Sequence, residues 1–298
     1  MEDTRSASIP DPATEGTLDL SDGRTLGYAT YGPTDGDPLL FFHGTPGSRY
    51  TRVPDPSILD EHGFRQITLE RPGFGRSTYD PDRELLDWPA DVSEAAGALG
   101  FDRFAVVGGS GGGPFTLACA ASIPERLTGV AVVSGLGPLD APGATEEMAL
   151  ENRIGYRLAK LPFVLRPFLW LRIRKIRSDP DAFLDAWADS AADSDERILQ
   201  RPEVRAVFRQ NFPEAVRQGT RAPLQETRLH ARPWGFALDD VPVHVDLWHG
   251  SRDAFVPVAM AHHVADELPS CTAHIYPDEG HFLHYDHWGE ILAALRRD

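Results

Sequence analysis

Residues 108–112 read Gly-Gly-Ser-Gly-Gly, and the serine at their centre, Ser110, is the side chain best placed to act as a nucleophile. Phe104-Ala105-Val106-Val107 precedes it as a short apolar strand, and Phe115 to Ala121 follows as a helix-compatible run. A serine on a tight turn from strand to helix is a nucleophile elbow. Small residues on both sides leave room for the strained backbone angles that push the hydroxyl out of the sheet edge. The other readings of such glycines fit less well. In Gly109-Ser110-Gly111-Gly112-Gly113-Pro114 a proline replaces the last glycine of a dinucleotide fingerprint, and no Lys-Ser/Thr follows to make a phosphate loop.

A serine hydroxyl is a poor nucleophile at neutral pH. It needs a base to take its proton, an acid to orient that base, and donors aimed at the oxyanion formed on the attacked carbonyl. After Ser110 the run Val243 to Trp248 leads into His249-Gly250-Ser251-Arg252-Asp253, and Thr272 to Tyr276 leads into Pro277-Asp278-Glu279-Gly280-His281. Asp253 and His281 are therefore expected in loops just past two strands, as acid and base. His274 falls within a strand and His284 and His287 on the last helix, while Asp278 and Glu279 read as solvated loop acids. The oxyanion donors expected are the backbone N–H of Gly111, next to the nucleophile, and of Thr45 in His43-Gly44-Thr45-Pro46-Gly47, where proline has no N–H to give. Phe115, Trp234, Phe255 and Phe282 are the candidates for the substrate pocket.

The elements that must position these groups alternate. Strands are expected over 18–20, 24–31, 38–42, 64–69, 104–107, 130–133, 243–248 and 272–276, with helices over 83–99, 257–268 and 284–295 among them. Such alternation builds an α/β fold with a mostly parallel sheet and helices on both faces. It breaks over 137–236, where the pattern is helical and punctuated by prolines; this is read as a cap inserted into a core of 16–136 and 237–298. Residues 1–15 read as a flexible lead-in without the charged start and apolar middle of a signal peptide, which points to a cytoplasmic protein.

The net charge of −16 argues against general nucleic-acid binding. Cys119 and Cys271 have no metal-type spacing, and Cys119 reads as a small buried hydrophobe. From Arg153 to Arg177 there are eight basic residues and no acid, interleaved with apolar side chains. The expectation is a lid helix over an apolar pocket, its arginines paired with acids such as Asp179, Asp181 and Asp185; contact with a membrane surface is the less favoured reading.

The chain resembles the α/β-hydrolase fold family, in particular its capped esterases and proline iminopeptidases. The resemblance is carried in order by His43-Gly44-Thr45-Pro46-Gly47, by Arg71-Pro72-Gly73-Phe74-Gly75-Arg76-Ser77, by the elbow, by Gly250-Ser251-Arg252-Asp253 and by Gly280-His281. It implies an eight-stranded sheet, a Ser110–Asp253–His281 triad and no metal or organic cofactor. The cap matches in position alone. Members that carry aspartate as nucleophile, the dehalogenases and epoxide hydrolases, are argued against by Ser110. Proline iminopeptidases usually have tryptophan after the nucleophile and cap acids for the substrate amine; here Gly111 follows, with Glu146 and Glu147 the acids at hand. The expected activity is hydrolysis of a small carboxylic ester, or of an amide, through an acyl-enzyme. Aminopeptidase, cofactor-free haloperoxidase, carbon–carbon hydrolase and non-catalytic ligand receptor remain as alternatives, because fold does not set reaction.

Overall fold

Leu39–Phe42 is apolar at every position, and the computed structural model, which describes residues 9–296, shows why. Successive side chains of a strand point to opposite faces, and here both faces are covered. Leu40, Phe42, Val106, Val130 and Val132 enter one core, whereas Leu39, Phe41, Val107, Ala131 and Val133 enter another across the sheet.

The strands are β1 (Thr14–Asp19), β2 (Thr25–Tyr31), β3 (Asp37–Phe42), β4 (Phe64–Leu69), β5 (Phe104–Gly109), β6 (Leu127–Val133), β7 (Val245–Gly250) and β8 (Cys271–Tyr276). They form one eight-stranded sheet in the order β1-β2-β4-β3-β5-β6-β7-β8. β2 runs antiparallel to β1 and β4, and the remaining neighbours pair in parallel. This is the mostly parallel sheet flanked by helices that the sequence implies. Around it lie α1 (Ser57–His62), which the sequence pattern does not mark, α2 (Trp88–Ala98) and α3 (Gly113–Ser122), with α10 (Val258–Glu267) and α11 (His284–Ala294) following the last strands. Of the lead-in expected over 1–15, residues 1–8 lie outside the described residues. Thr14 and Glu15 already pair with Thr30 and Ala29, so order begins before residue 16.

Between β6 and β7 the chain leaves the sheet and builds α4 (Leu150–Leu158), α5 (Pro162–Ser178), α6 (Pro180–Ala188), α7 (Asp193–Leu199), α8 (Pro202–Ala215) and α9 (Arg221–His230). Pro162, Pro180 and Pro202 open helices, where a missing N–H costs nothing. Pro167 and Pro213 lie inside α5 and α8.

Polar contacts, several of them buried or half-buried, fasten this insert to the strand ends. Asn211 accepts the backbone N–H of Ser48 at 2.8 Å, Arg49 pairs with Glu214 at 2.5 Å, and the Gln218 amide donates to Ser77 O at 2.6 Å. One expectation is corrected here. Asp181 and Asp185 pair with Arg205 and Arg209 of α8, and Asp179 caps α6 through the Ala182 N–H, so none of the three serves the basic segment. The packing of α6 against α8 decides it, because it puts those acids beside the α8 arginines. Among the described residues no helix is long and apolar enough to cross a membrane.

Candidate active site

β5 delivers Ser110 to a turn where its φ is +54°, a left-handed value that few side chains adopt. Gly108 makes the turn possible: a Cβ there would overlap the Thr116 hydroxyl and the Gly112 carbonyl. The loop after β7 carries Asp253, whose Oδ1 accepts the N–H groups of Phe255 and Val256, both at 2.8 Å. Its Oδ2 lies 2.7 Å from Nδ1 of His281, in the loop after β8. An ionised carboxylate only accepts, so His281 carries its proton on Nδ1 and leaves the Nε2 lone pair free.

Burial alone would depress the His281 pKa. The carboxylates of Asp253 and Asp195 outweigh it and raise the pKa above the ordinary histidine value. Ser110 and His281 line the same two cavities, with no direct hydrogen bond between them among the described residues. Such contacts are often loose without substrate.

His249 lies 3.4 Å from the Asp253 carboxylate, yet its Nε2 donates to Val256 O at 2.8 Å, and burial lowers its pKa. It is a neutral support for the acid loop.

The loop after β3 holds Thr45, and buried charge surrounds it. Arg71 donates to the carbonyls of His43 at 2.5 Å and Gly44 at 3.3 Å. On its other side Arg71 binds Glu226 of α9 at 2.5 and 2.8 Å, and Arg83 binds the same carboxylate at 3.0 Å. The Thr45 hydroxyl donates to Glu226 as well. Burial would raise the Glu226 pKa, but Arg71 and Arg83 hold it well below the usual carboxylate range. His43, pushed down to about 3 chiefly by burial, is neutral; its Nδ1 donates to Gly44 O at 2.7 Å and its Nε2 accepts the Arg71 N–H at 3.3 Å. His230, lowered to about 4 for the same reason, donates from Nε2 to Gly111 O at 3.1 Å. Both expected oxyanion loops are therefore braced by α9. Among the described residues no acceptor engages the Thr45 backbone N–H.

Residues 37–287 match the family model of the alpha/beta hydrolase fold. The chain belongs to the α/β-hydrolase fold family. A non-heme chloroperoxidase of Streptomyces lividans is 33% identical over 126 residues, which are 42% of this chain and 46% of that protein. A proline iminopeptidase of Neisseria gonorrhoeae is 31% identical over 126 residues, 41% of this chain and 40% of its own length. The chain thus matches less than half the length of these curated relatives. A thermophilic esterase from Thermogutta terrifontis has a TM-score of 0.65 at 21% identity, covering 95% of this chain and 97% of that one, a likeness of fold.

In this α/β-hydrolase the four aromatic pocket candidates separate. Phe255 lines the larger cavity, of about 110 Å³, with its ring 5.3 Å from that of His281. Phe282 lines the smaller, of about 70 Å³. Phe115 is fully buried, its ring 6.2 Å from Trp88 and 4.6 Å from the Arg71 guanidinium, because α3 packs that face against the sheet. Trp234 packs on Phe236 in the same core. Neither lines a cavity beside Ser110. Glu146 and Glu147 are exposed and also lie outside both cavity walls. Trp187 of α6 lines both cavities and touches Phe255 and Phe282. Nothing in the local pattern of the insert marks Trp187, Glu226 or Asp195.

Proposed function

We propose that this chain is a carboxylesterase-like serine hydrolase that cleaves a small ester through an acyl-enzyme, with 137–236 as its cap. The observation that carries the reading is Asp253. Its carboxylate is held by two N–H groups and by His281 Nδ1, while Ser110 shares two cavities with that imidazole.

In this reading His281 Nε2 takes the Ser110 proton as Oγ attacks the ester carbonyl. The N–H groups of Thr45 and Gly111 hold the oxyanion. His281 then protonates the departing alcohol and activates the water that releases the acid. Asp253 keeps the imidazole in its tautomer and stabilises the charged form.

An aminopeptidase needs a carboxylate free to hold the substrate ammonium. Glu226 is bound to Arg71 and Arg83, Glu146 and Glu147 are exposed away from the cavities, and Glu151 on the cavity wall lies 3.6 Å from Arg172. These placements favour the ester. The test is turnover of p-nitrophenyl acetate through octanoate beside aminoacyl-naphthylamides. Ester cleavage abolished by Ser110→Ala is expected; equal rates for the two proteins would overturn the serine mechanism. Tight ligand binding without turnover would favour a receptor.

A further inference from the structure

Every large apolar side chain that is exposed among the described residues lies between 150 and 171. Phe163 is 82% exposed, and Leu150, Trp170 and Leu171 are each more than half exposed. The same stretch runs into the segment from Arg153 to Arg177, with its eight basic residues and no acid in a chain of net charge −16.

A helix that only roofs a cavity needs one apolar face. α5 has two. Leu165, Ile173 and Ile176 are buried, and Phe168 and Leu169 line the Ser110 cavity. Phe163, Trp170 and Arg174, spaced i, i+7 and i+11, turn to solvent, with the Arg174 guanidinium 5.6 Å over the Trp170 ring. Arg166, Arg174 and Lys175 are exposed; the acids that follow the segment are taken by α8 and by the α6 cap, and Glu151, just before it, lies 3.6 Å from the half-buried Arg172.

We propose that the outer face of α4 and α5 docks on an anionic lipid bilayer. Exposed aromatic and aliphatic side chains enter the headgroup boundary, and the arginines and lysines meet lipid phosphates. A second copy fits less well, since two-fold pairing of this face would bring like charges together. A nucleic acid would leave Phe163 and Leu171 uncovered. Docking in this way sets the Ser110 cavity, lined by the inner side of α5, against the lipid.

The test is co-sedimentation of the full chain with vesicles of phosphatidylcholine alone and with added phosphatidylglycerol, at low and high salt. Binding to the anionic vesicles is expected, weaker at high salt. It should fall at least roughly tenfold in the double variant Arg166→Glu, Arg174→Glu, and also in Phe163→Ser, Trp170→Ser. Circular dichroism and Tm should match the wild type in both. A folded wild type that ignores anionic vesicles overturns the proposal, as does binding that survives both double variants. So does a lipid-free dimer that the Phe163→Ser, Trp170→Ser variant dissociates.

Discussion

The Asp195 carboxylate, carried by α7 of the insert, accepts the backbone N–H of His281 at 2.8 Å and of Phe282 at 2.7 Å. Gly280 lets it approach, since a Cβ there would overlap the carboxylate. The insert therefore clamps the loop that bears the proposed base.

Asp195→Asn keeps the volume but turns an NH2 toward one of those N–H groups. A buried donor left unpaired costs roughly 1 to 3 kcal/mol of stability, so Tm should fall, and kcat/KM should fall with it because the loop that bears His281 loses its tie. The Asp195 charge also helps to raise the His281 pKa. Its removal should move the acid limb of the pH–rate profile to lower pH. A lower Tm with that limb unmoved would reduce Asp195 to a structural residue.

The pH dependence follows from His281 itself. It is a base only when neutral, and its pKa lies above the ordinary value because Asp253 and Asp195 outweigh burial. Ester turnover should rise with pH through a midpoint above about 6.5 and be lost on acidification. Asp253→Asn should lower that midpoint and cut kcat about ten-thousandfold, by analogy with other serine triads. A midpoint that does not move in Asp253→Asn would assign the limb to another group.

Ser110, Asp253 and His281 are legible as candidates because each lies within a few residues of a strand's end, so local alternation and turn residues locate them. The sheet is legible for the same reason: its buried strands are continuous apolar runs. Asp195 and Glu226 are not. Each meets its partners across long stretches of chain, through helix packing that no local pattern encodes, and an acid among 45 carries no mark of burial. Phe115 misleads for the opposite reason. It stands close to the elbow in sequence, but α3 turns its ring into the core.

Glu226 ties α9 to the Thr45 loop through Arg71 and the Thr45 hydroxyl, and it also holds Arg83. Glu226→Gln would leave two buried guanidinium groups without a counter-charge, at a cost of about 3 to 5 kcal/mol, read by urea denaturation. The folded-state pKa of Glu226 is depressed, Arg71 and Arg83 prevailing over burial. Its contribution to stability is therefore complete above its unfolded value, near 4.5, and is lost as pH falls from there toward the folded value. Acid destabilisation should be shallower in the variant. A stability difference between wild type and variant that stays constant as pH falls from about 4.5 to about 3 would show that the pair is not ionised.

Two of the phenylalanines that the sequence offers as pocket candidates should respond in opposite ways. Phe115 is fully buried between Trp88, His230 and Arg71, away from both cavities. Phe115→Leu should cost about 1 kcal/mol of stability by repacking and leave the ester chain-length preference unchanged. Phe255 lines the larger cavity beside the His281 ring. Phe255→Ala should lower stability too, since its ring also packs on Trp187, and it should shift the preference toward longer or bulkier esters. The ratio of kcat/KM for octanoate over acetate separates them: it is expected to rise severalfold in Phe255→Ala alone. A change in that ratio in Phe115→Leu would mean that its ring reaches the substrate after all.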